Sequence, residues 1–172
     1  IRLIGRGGHG ATPEKCHDAL VAGASLVTSL QSIVSRSLSP MEPAVLTIGS
    51  FHSGLVGNVI AQEAEIKGTI RTLNEETRSL VENRLREITE STAAMFGCTA
   101  QIDNIRVSDA VKNDERAAAL ALACARELVP EDKIGPQKTM MLGDNFANYG
   151  VIAPYCYAQV GIADEAKQTN FA

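Results

Sequence analysis

The segment from Glu63 to Arg71 alternates strictly between polar and apolar or small residues, and it limits the possible folds more than any other part of the chain. Its polar positions are Glu63, Glu65, Lys67, Thr69 and Arg71, and the residues between them are Ala64, Ile66, Gly68 and Ile70. A two-residue period of this kind predicts a strand with one face on a core and the other in water. The chain must therefore supply neighbouring strands and a layer that covers the apolar face.

Other segments of the first hundred residues are suited to those roles. Strands are predicted over 1–4, 44–51 and 99–107, and helices over 13–36 and from 74 to 97. The first helix should start at Thr12-Pro13 and bury Leu20, Val27, Leu30 and Val34; the second should bury Val81, Leu85, Ile88 and Met95. The order strand, helix, strand, strand, helix, strand predicts an α+β, ferredoxin-like split βαβ domain: a four-stranded antiparallel sheet with two helices on one face.

A second unit is predicted to begin after residue 108. A helix should run from Asn113-Asp114-Glu115 to Pro130, followed by a strand over 139–142, a helical turn over 145–149 and a strand over 155–160. This alternation is typical of α/β domains, but two strands do not complete a sheet. We therefore expect domains at 1–108 and 109–172, the second an incomplete α/β segment. Because the chain opens on Ile1 within a strand-like run, we expect it to be a piece of a longer protein.

Charge, hydropathy and cysteine spacing narrow the classes of function. Sixteen basic and 20 acidic residues give a net charge of -4, which argues against nucleic acid as a partner. No apolar run in the sequence is expected to cross a membrane, which takes about 18–20 residues. The cysteines at 16, 98, 124 and 156 form no C-x-x-C pair, which favours a reducing, cytoplasmic setting. Cys98 and Cys124 are expected to be buried as small hydrophobic residues.

The glycine cluster at residues 5–10 contains the first candidate site. Gly5, Gly7 and Gly10 match G-x-G-x-x-G, the pattern of a dinucleotide-binding loop. However, the helix restarts only at Thr12-Pro13, and the acid expected about 20 residues beyond the pattern is absent, so a flexible glycine turn is favoured. His9, inside the cluster, could donate a hydrogen bond or move a proton to a ligand; the alternative is a solvated histidine.

Two further residues suit a substrate that carries a carboxylate. Arg71 could bind it with both guanidinium nitrogens, and Asn58 could add a hydrogen bond. The alternatives are a surface salt bridge for Arg71 and a turn-capping role for Asn58. His17 is expected on a helix surface and His52 is left open. Three histidines at this spacing do not indicate a metal site.

Four motifs in the same order resemble one enzyme family. They are Gly5-x-Gly7-Gly8-His9-Gly10-Ala11-x-Pro13, Leu30-Gln31-x-Ile33-Val34-x-Arg36, Gly57-Asn58-Val59-Ile60 and Gly68-Thr69-Ile70-Arg71-Thr72. Together they are similar to the two-metal amidohydrolases and carboxypeptidases, which include aminoacylases, hippurate hydrolases and hydrolases of indoleacetyl amino acids. The resemblance extends over nearly the whole chain.

The resemblance implies a role for each domain and each candidate residue. Residues 1–108 would be the lid, or dimerisation, domain of a homodimer, and the remainder part of the catalytic domain. In such enzymes the histidine matching His9 polarises the scissile carbonyl in the partner subunit's active site. The residues matching Asn58 and Arg71 hold the substrate carboxylate. A pair of divalent ions (zinc, manganese or cobalt) and a glutamate base would lie in the rest of the enzyme, with no metal bound by this piece.

The chain departs from the family pattern at two places. Gly143-Asp144-Asn145-Phe146 stands where Ser-Glu-Asp-Phe is usual, and Ala61 follows Asn58-Val59-Ile60 where proline is usual. The function expected is that of a metal-dependent amidohydrolase acting on N-acyl amino acids or small peptides, to which this chain contributes dimerisation and substrate recognition. The alternative is a stand-alone dimerisation module without catalytic activity.

Overall fold

A computed structural model describes residues 1–136 and 138–161. The chain forms two compact units, divided between Arg106 and Val107. Residues 162–172, the last part of the segment predicted to belong to a catalytic domain, lie outside the described residues.

The first unit contains six strands and two long helices. The strands are β1 (Arg2–Ile4), β2 (Gly8–His9), β3 (Ala44–Ser53), β4 (Val59–Ile60), β5 (Glu63–Thr72) and β6 (Thr99–Gln101). The helices are α1 (Ala19–Ser32) and α2 (Glu75–Met95). Four strands form one sheet in the order β3-β5-β1-β6, with every pair antiparallel, while β2 and β4 pair separately. The predicted split βαβ fold is confirmed.

The long ladder between β3 and β5 is interrupted by one β-bulge. Ile48 pairs with Gly68 and Ser50 with Lys67. Between these two pairs β3 therefore contains one residue more than β5. The bulge reverses the alternation of β3, because an extra residue shifts every later side chain to the opposite face. Phe51 therefore packs against the core, and His52 is exposed.

The core lies between the sheet and the two helices, which both pack on β5. Its buried members are Leu3, Ala19, Ala22, Leu26, Leu30, Ile33, Ala64, Ile66, Val81, Ala93 and Cys98. Leu30 is fully buried and Val27 packs against the core, as predicted for the first helix, but Leu20 is 42 % exposed whereas its neighbour Ala19 is fully buried. Small residues at 19, 22 and 23 let α1 approach the sheet closely, a criterion that a search for large apolar residues misses.

The first helix also starts later than predicted. Residues Pro13–Lys15 form a separate 3-10 helix, and α1 begins after Asp18, whose carboxylate accepts from the amides of Leu20 and Val21 at 2.9 and 3.1 Å. Between them, His17 exchanges two backbone hydrogen bonds with Arg6. That bridge holds His17 in extended backbone, so it is not the helix-surface residue expected from the sequence.

Residues Ala19–Ser37 form one continuous helical segment of 19 residues that is long and apolar enough to cross a membrane by length and composition, with a mean hydropathy of 1.2 in an 18-residue window. The expectation that no segment reaches this threshold was wrong. Its buried residues recur at intervals of three or four and belong to the core of the first unit. This is the pattern of a helix packed on a sheet.

The second helix follows the sequence more closely. Asn74 caps it by accepting from the Thr77 amide at 2.8 Å, and Gly97 follows its end with φ +68°, the left-handed conformation that glycine adopts without strain. Val81 is fully buried, but Met95 is 70 % exposed, so its predicted inward position was wrong. Met95 lies in the last turn of the helix, beyond the core residue Ala93.

The fourth strand of the sheet is shorter than the predicted 99–107. β6 pairs only with β1, from Arg2↔Gln101 to Ile4↔Thr99, and a ladder cannot extend beyond its partner strand. After Gln101 the chain leaves the sheet, and Arg106 makes a two-pronged ion pair with Glu75 at the start of α2.

In the second unit, the predicted third helix is confirmed as α3 (Glu115–Leu128), capped by Asp114. The predicted turn at 145–149 is a 3-10 helix over Asn145–Val151. The strands predicted over 139–142 and 155–160 are absent from the described residues of this unit. The Tyr157 backbone bonds instead to the Asn113 side chain, at 2.7 and 3.0 Å. Cys124 is exposed on α3, contrary to prediction, whereas Cys98 is buried.

The close approach of β3 and β5 beside the bulge predicts that Gly68→Ala destabilises the first unit. A Cβ at Gly68 would lie 2.2 Å from the Thr47 carbonyl oxygen, so the strands must separate, at a cost of about 1–3 kcal/mol in the free energy of unfolding. Gly49→Ala is the matched control, because the nearest atom to its added Cβ is 4.0 Å away. Urea denaturation of the two variants should show the loss only for Gly68→Ala, and equal midpoints would contradict this account.

Candidate functional site

A short two-stranded ladder brings His9 and Asn58 together. In it Gly8 pairs with Ile60 and His9 with Val59, and the Gly10 amide donates to the Asn58 carbonyl oxygen at 2.9 Å. The ladder joins the glycine cluster to the segment that enters β5. Two residues 49 positions apart in sequence therefore become neighbours.

The glycines of the cluster allow this ladder to close. A Cβ at Gly7 would lie 2.8 Å from the Ile60 carbonyl oxygen, and one at Gly10 would lie 3.0 Å from that of Asn58. Helix α1 begins only at Ala19, so no long helix starts at the glycines as a dinucleotide site requires. The glycines are thus explained by close backbone approach.

The turn after His9 holds both its backbone and its ring. The Thr12 amide donates to the His9 carbonyl oxygen at 2.9 Å, and the Thr12 hydroxyl donates to the same oxygen at 3.3 Å. The Ala11 amide donates to Nδ1 of the His9 ring at 3.1 Å. Nε2 is left as the ring nitrogen through which an exposed His9 can meet a ligand.

Arg71 lies far from that turn in the same chain. It pairs with Val45 near the end of β5, whereas Asn58 precedes the start of β5 at Glu63. Eight residue steps separate Glu63 from Arg71, roughly 27 Å at the usual strand rise. The structure therefore brings His9 to Asn58 and leaves Arg71 at the opposite end of the sheet.

Both side chains predicted to bind a carboxylate have hydrogen-bonding capacity to spare. Arg71 is half-buried, and among the described residues its guanidinium has no ion pair or hydrogen bond. The carboxamide of Asn58 is exposed and equally without a partner in the described parts of the chain. The surface salt bridge considered for Arg71 is thus absent from this part of the structure.

Other charged residues on the open face of the sheet do have partners. Glu65 accepts from the Lys67 ammonium at 2.9 Å, and this hydrogen bond lowers the pKa of the Glu65 carboxyl from its ordinary value, aided by the nearby charges of Arg2 and His52. Arg2 lies 3.9 Å from Glu63. Arg71 therefore differs from Arg2, although both are arginines on the same face.

Sequence reasoning missed one contributor to the site and one packing contact elsewhere in the first unit. The first is the Ala11 backbone amide, because a side-chain motif search does not consider main-chain donors. The second is His17, whose ring lies against Gly97: a Cβ there would be 2.4 Å from Nδ1 of His17. His17 supports the segment that leads into α1. The only available signal was the position of His17 next to the helix-capping Asp18.

The described residues do not form a metal site. In residues 1–136 and 138–161, no three histidine, cysteine, aspartate or glutamate side chains lie close enough together to hold an ion. This applies to His9 as well as to the acidic residues of the sheet. No chemical step of this chain is therefore assigned to a metal of its own.

The departure at Gly143-Asp144-Asn145-Phe146 has a local explanation in the second unit. Asp144 caps the 3-10 helix by accepting from the Phe146 amide at 2.8 Å. Its other oxygen accepts from the Tyr157 hydroxyl at 3.0 Å, and this hydrogen bond raises the pKa of Tyr157. Aspartate is a favoured N-cap because its short side chain reaches the first amides of a helix.

Comparison with known proteins identifies the family. Residues 1–97 match the M20 family model described as a peptidase dimerisation domain, which is more than half of the chain, and the chain belongs to this family. The chain is 37% identical over 149 residues to N-acetyldiaminopimelate deacetylase of Brevibacillus brevis, a match that covers 87% of this chain and 40% of that protein. It is 49% identical over 102 residues to the Streptococcus thermophilus protein of the same name, covering 59% of this chain and 27% of that protein.

Solved structures of the same class share the fold. A proposed aminohydrolase from methicillin-resistant Staphylococcus aureus superimposes with a TM-score of 0.75 and 33% identity, covering 90% of this chain and 40% of that chain. The Bacillus subtilis YXEP protein, a dinuclear metal-binding peptidase of the M20 family, gives a TM-score of 0.65 and 25% identity, covering 90% and 38%. The matched part of this chain thus covers between 27% and 40% of the length of these relatives.

We predict that this chain binds divalent metal ions only weakly, because its described side chains form no cluster of ligands. Zinc, cobalt or manganese should leave its melting temperature unchanged, because only tight binding to the native state stabilises a fold. Thermal denaturation with and without each metal, followed by metal analysis after dialysis, measures this directly. One equivalent of zinc retained through dialysis would contradict the prediction.

Proposed function

We propose that this chain is the dimerisation and substrate-recognition part of a metal-dependent amidohydrolase that acts on N-acyl amino acids or small peptides. The main support is that three polar groups are available to bind a ligand: the Nε2 atom of His9, the Asn58 carboxamide and the Arg71 guanidinium. The relatives named N-acetyldiaminopimelate deacetylase support an acylated amino acid as the substrate class. A divalent metal pair would belong to the rest of the enzyme, as in the dinuclear Bacillus subtilis neighbour.

Each of the three groups suits a different part of such a substrate. A guanidinium binds a carboxylate through two parallel hydrogen bonds, and a carboxamide can donate one more. An imidazole N–H can donate to the carbonyl oxygen of the scissile amide, where negative charge develops during hydrolysis. Together they would recognise an amide that has a carboxylate nearby.

These groups can meet only if two copies of the chain contribute. Arg71 and Asn58 lie at opposite ends of β5, so one chain cannot place both on a single carboxylate. We propose a homodimer in which His9 and Asn58 of one subunit act together with Arg71 of the partner subunit. The family's dimerisation role supports the pairing.

The edge strand β3 offers a geometry for this dimer. It is the longest edge of the sheet, and a long unpaired edge favours association. If two copies of β3 pair antiparallel about a two-fold axis, the Val45 end of one lies beside the Ser53 end of the other. Arg71 of the partner subunit then lies about two strand spacings, roughly 10 Å, from the Ser53 end, where the segment to Asn58 begins.

An exposed apolar patch at that end supports the same arrangement. Its members are Leu20, Val21, Leu55, Val56 and Val59, all substantially exposed. Leu55 is fully exposed, and Leu20 lies next to Gly54, so the patch continues from α1 to the segment after β3. Apolar surface beside an unpaired edge strand is suited to a symmetric contact.

The stand-alone dimerisation module stays as a second candidate, because the described residues lack a metal cluster. Hydrolysis of N-acyl amino acids by the protein that contains this chain, abolished when the metal is removed, would separate the two. The cytoplasmic setting is also a proposal, and it rests on the spacing of the four cysteines.

Removing the guanidinium of Arg71 should weaken substrate binding. In the enzyme that contains this chain, Arg71→Ala should raise KM and lower kcat/KM about tenfold to hundredfold, the range for hydrogen bonds to a charged group. Arg71→Lys should recover little, because an ammonium lacks the planar fork. Steady-state kinetics with an N-acyl amino acid and with its methyl ester measure the effect.

Arg2→Ala is the matched control for Arg71→Ala. It removes an arginine from the same face of the sheet, but one that lies beside Glu63, and it should leave KM unchanged. The loss caused by Arg71→Ala should disappear with the methyl ester, which lacks the carboxylate. Equal losses with acid and ester would show that Arg71 does not bind this group.

Mixed dimers test whether the site is shared. When a His9→Ala subunit pairs with an Arg71→Ala subunit, one site loses both groups and the other keeps both. Such a hybrid should show about half of the wild-type kcat/KM, well above that of either parent, because one of two equivalent sites is intact. The activity of mixed samples, with hybrid formation followed by differential tags, gives this number.

The control pair is His9→Ala with Asn58→Ala. Both residues come from the same subunit in this arrangement, so each site of the hybrid lacks one of them and no recovery is expected. Recovery with Asn58→Ala but not with Arg71→Ala would place the subunit boundary elsewhere in the site. Hybrids that form and stay inactive in both pairs would exclude sharing.

A further inference from the structure

We propose that the backbone amide of Ala11 is a positioning group that commits His9 to the tautomer with its proton on Nε2. The histidine would then approach a ligand as a hydrogen-bond donor and not as a proton acceptor. The role of this donor at the substrate carbonyl rests on the proposed function. The tautomer itself follows from the turn.

The contact between the Ala11 amide and the His9 ring determines which ring nitrogen carries the proton. The Ala11 N–H donates to Nδ1 of His9 at 3.1 Å. A backbone amide is always a donor, so the ring atom that it meets must supply a lone pair. In a neutral imidazole one nitrogen accepts and the other carries the proton. With Nδ1 accepting, the proton is on Nε2.

Neighbouring hydrogen bonds keep the Ala11 amide in place. Three consecutive amides each have a different acceptor: Gly10 donates to the Asn58 carbonyl oxygen, Ala11 to the His9 ring and Thr12 to the His9 carbonyl oxygen. The first of these bonds ties the turn to Asn58, the residue before β4, and the third closes the turn on His9. The ring orientation is thereby coupled to the backbone that carries Asn58.

His9 differs in this respect from the other two histidines. The ring of His17 packs against Gly97, and His52 is exposed on the open face of the sheet near Glu65. Only for His9, among the three histidines, all of which are described, does the structure record a backbone amide donating to the ring. His52 is therefore an internal reference for an imidazole without this constraint.

The tautomer decides what the imidazole can do. An Nε2–H group can donate to an oxygen that gains negative charge, and such a donor contributes most when it is oriented before the reaction. The same nitrogen has no lone pair with which to remove a proton. His9 is thus suited to stabilise a developing oxyanion, and a role as general base would require a different turn.

The first experiment reads the tautomer without any substrate. Long-range proton–nitrogen correlation spectra of the nitrogen-15-labelled chain, recorded at alkaline pH, distinguish protonated from unprotonated ring nitrogens. We expect a protonated Nε2 and an unprotonated Nδ1 for His9, and an average of the two tautomers for His52. A proton on Nδ1, or an average equal to that of His52, would overturn the proposal whether or not the protein is an amidohydrolase.

A pair of variants at Ala11 tests the cause. Ala11→Pro removes the N–H group, so the His9 signals should move toward the average seen for His52. Ala11→Gly retains the N–H group and should leave them unchanged. Unchanged signals in a folded Ala11→Pro protein would show that the amide does not select the tautomer.

Substitutions of His9 itself, made in the enzyme that contains this chain, test the donor role while Ala11 stays unchanged. Glutamine places an amide donor near the position of Nε2, and asparagine places its amide near Nδ1. If His9 is a donor, His9→Gln should retain a kcat about tenfold above His9→Asn, a part of the 10²–10³ that a single oxyanion donor contributes. Equal kcat values for the two variants, in an enzyme that needs His9, would contradict the donor role.

Discussion

The ladder between β3 and β5 is the interaction on which the rest of the first unit depends. β5 pairs with both β3 and β1 and contacts both helices, so every other layer is placed relative to it. The strands approach so closely beside the bulge that only glycine fits at position 68. The bulge then turns Phe51 toward the core and His52 away from it. One inserted residue thus decides which face each later side chain of β3 occupies.

The sequence predicts the order and type of these elements because their patterns are local. The alternation of β5, the Asn74 cap and the stop at Gly97 each depend on a few adjacent residues. Features that depend on distant partners were not predictable. The break at His17 requires Arg6, and the end of β6 is set by the length of β1. Met95 and Cys124 occupy helical positions for which burial was predicted, but both are exposed because no described residues pack over them.

The candidate site divides in the same way. His9, Asn58 and Arg71 could be selected from their chemistry and motif context, but their separation could not. A sequence separation of thirteen positions between Asn58 and Arg71 is compatible with a nearby turn or with a fully extended strand. Only the register of β5 shows that the two ends are far apart. The Ala11 amide lay outside the prediction because every residue other than proline carries such a donor.

A recognition site divided between subunits links dimerisation to substrate choice. In the proposed arrangement each subunit alone has a donor turn at one end of its sheet and, at the other, a guanidinium that has no partner among the described residues. Neither end suffices for a substrate that needs its carbonyl and its carboxylate held together. Edge pairing through β3 would complete two sites at once, since a two-fold axis repeats every contact. In this arrangement the substrate bound at the partner subunit would supply the carboxylate that the half-buried Arg71 lacks within the described part of its own chain.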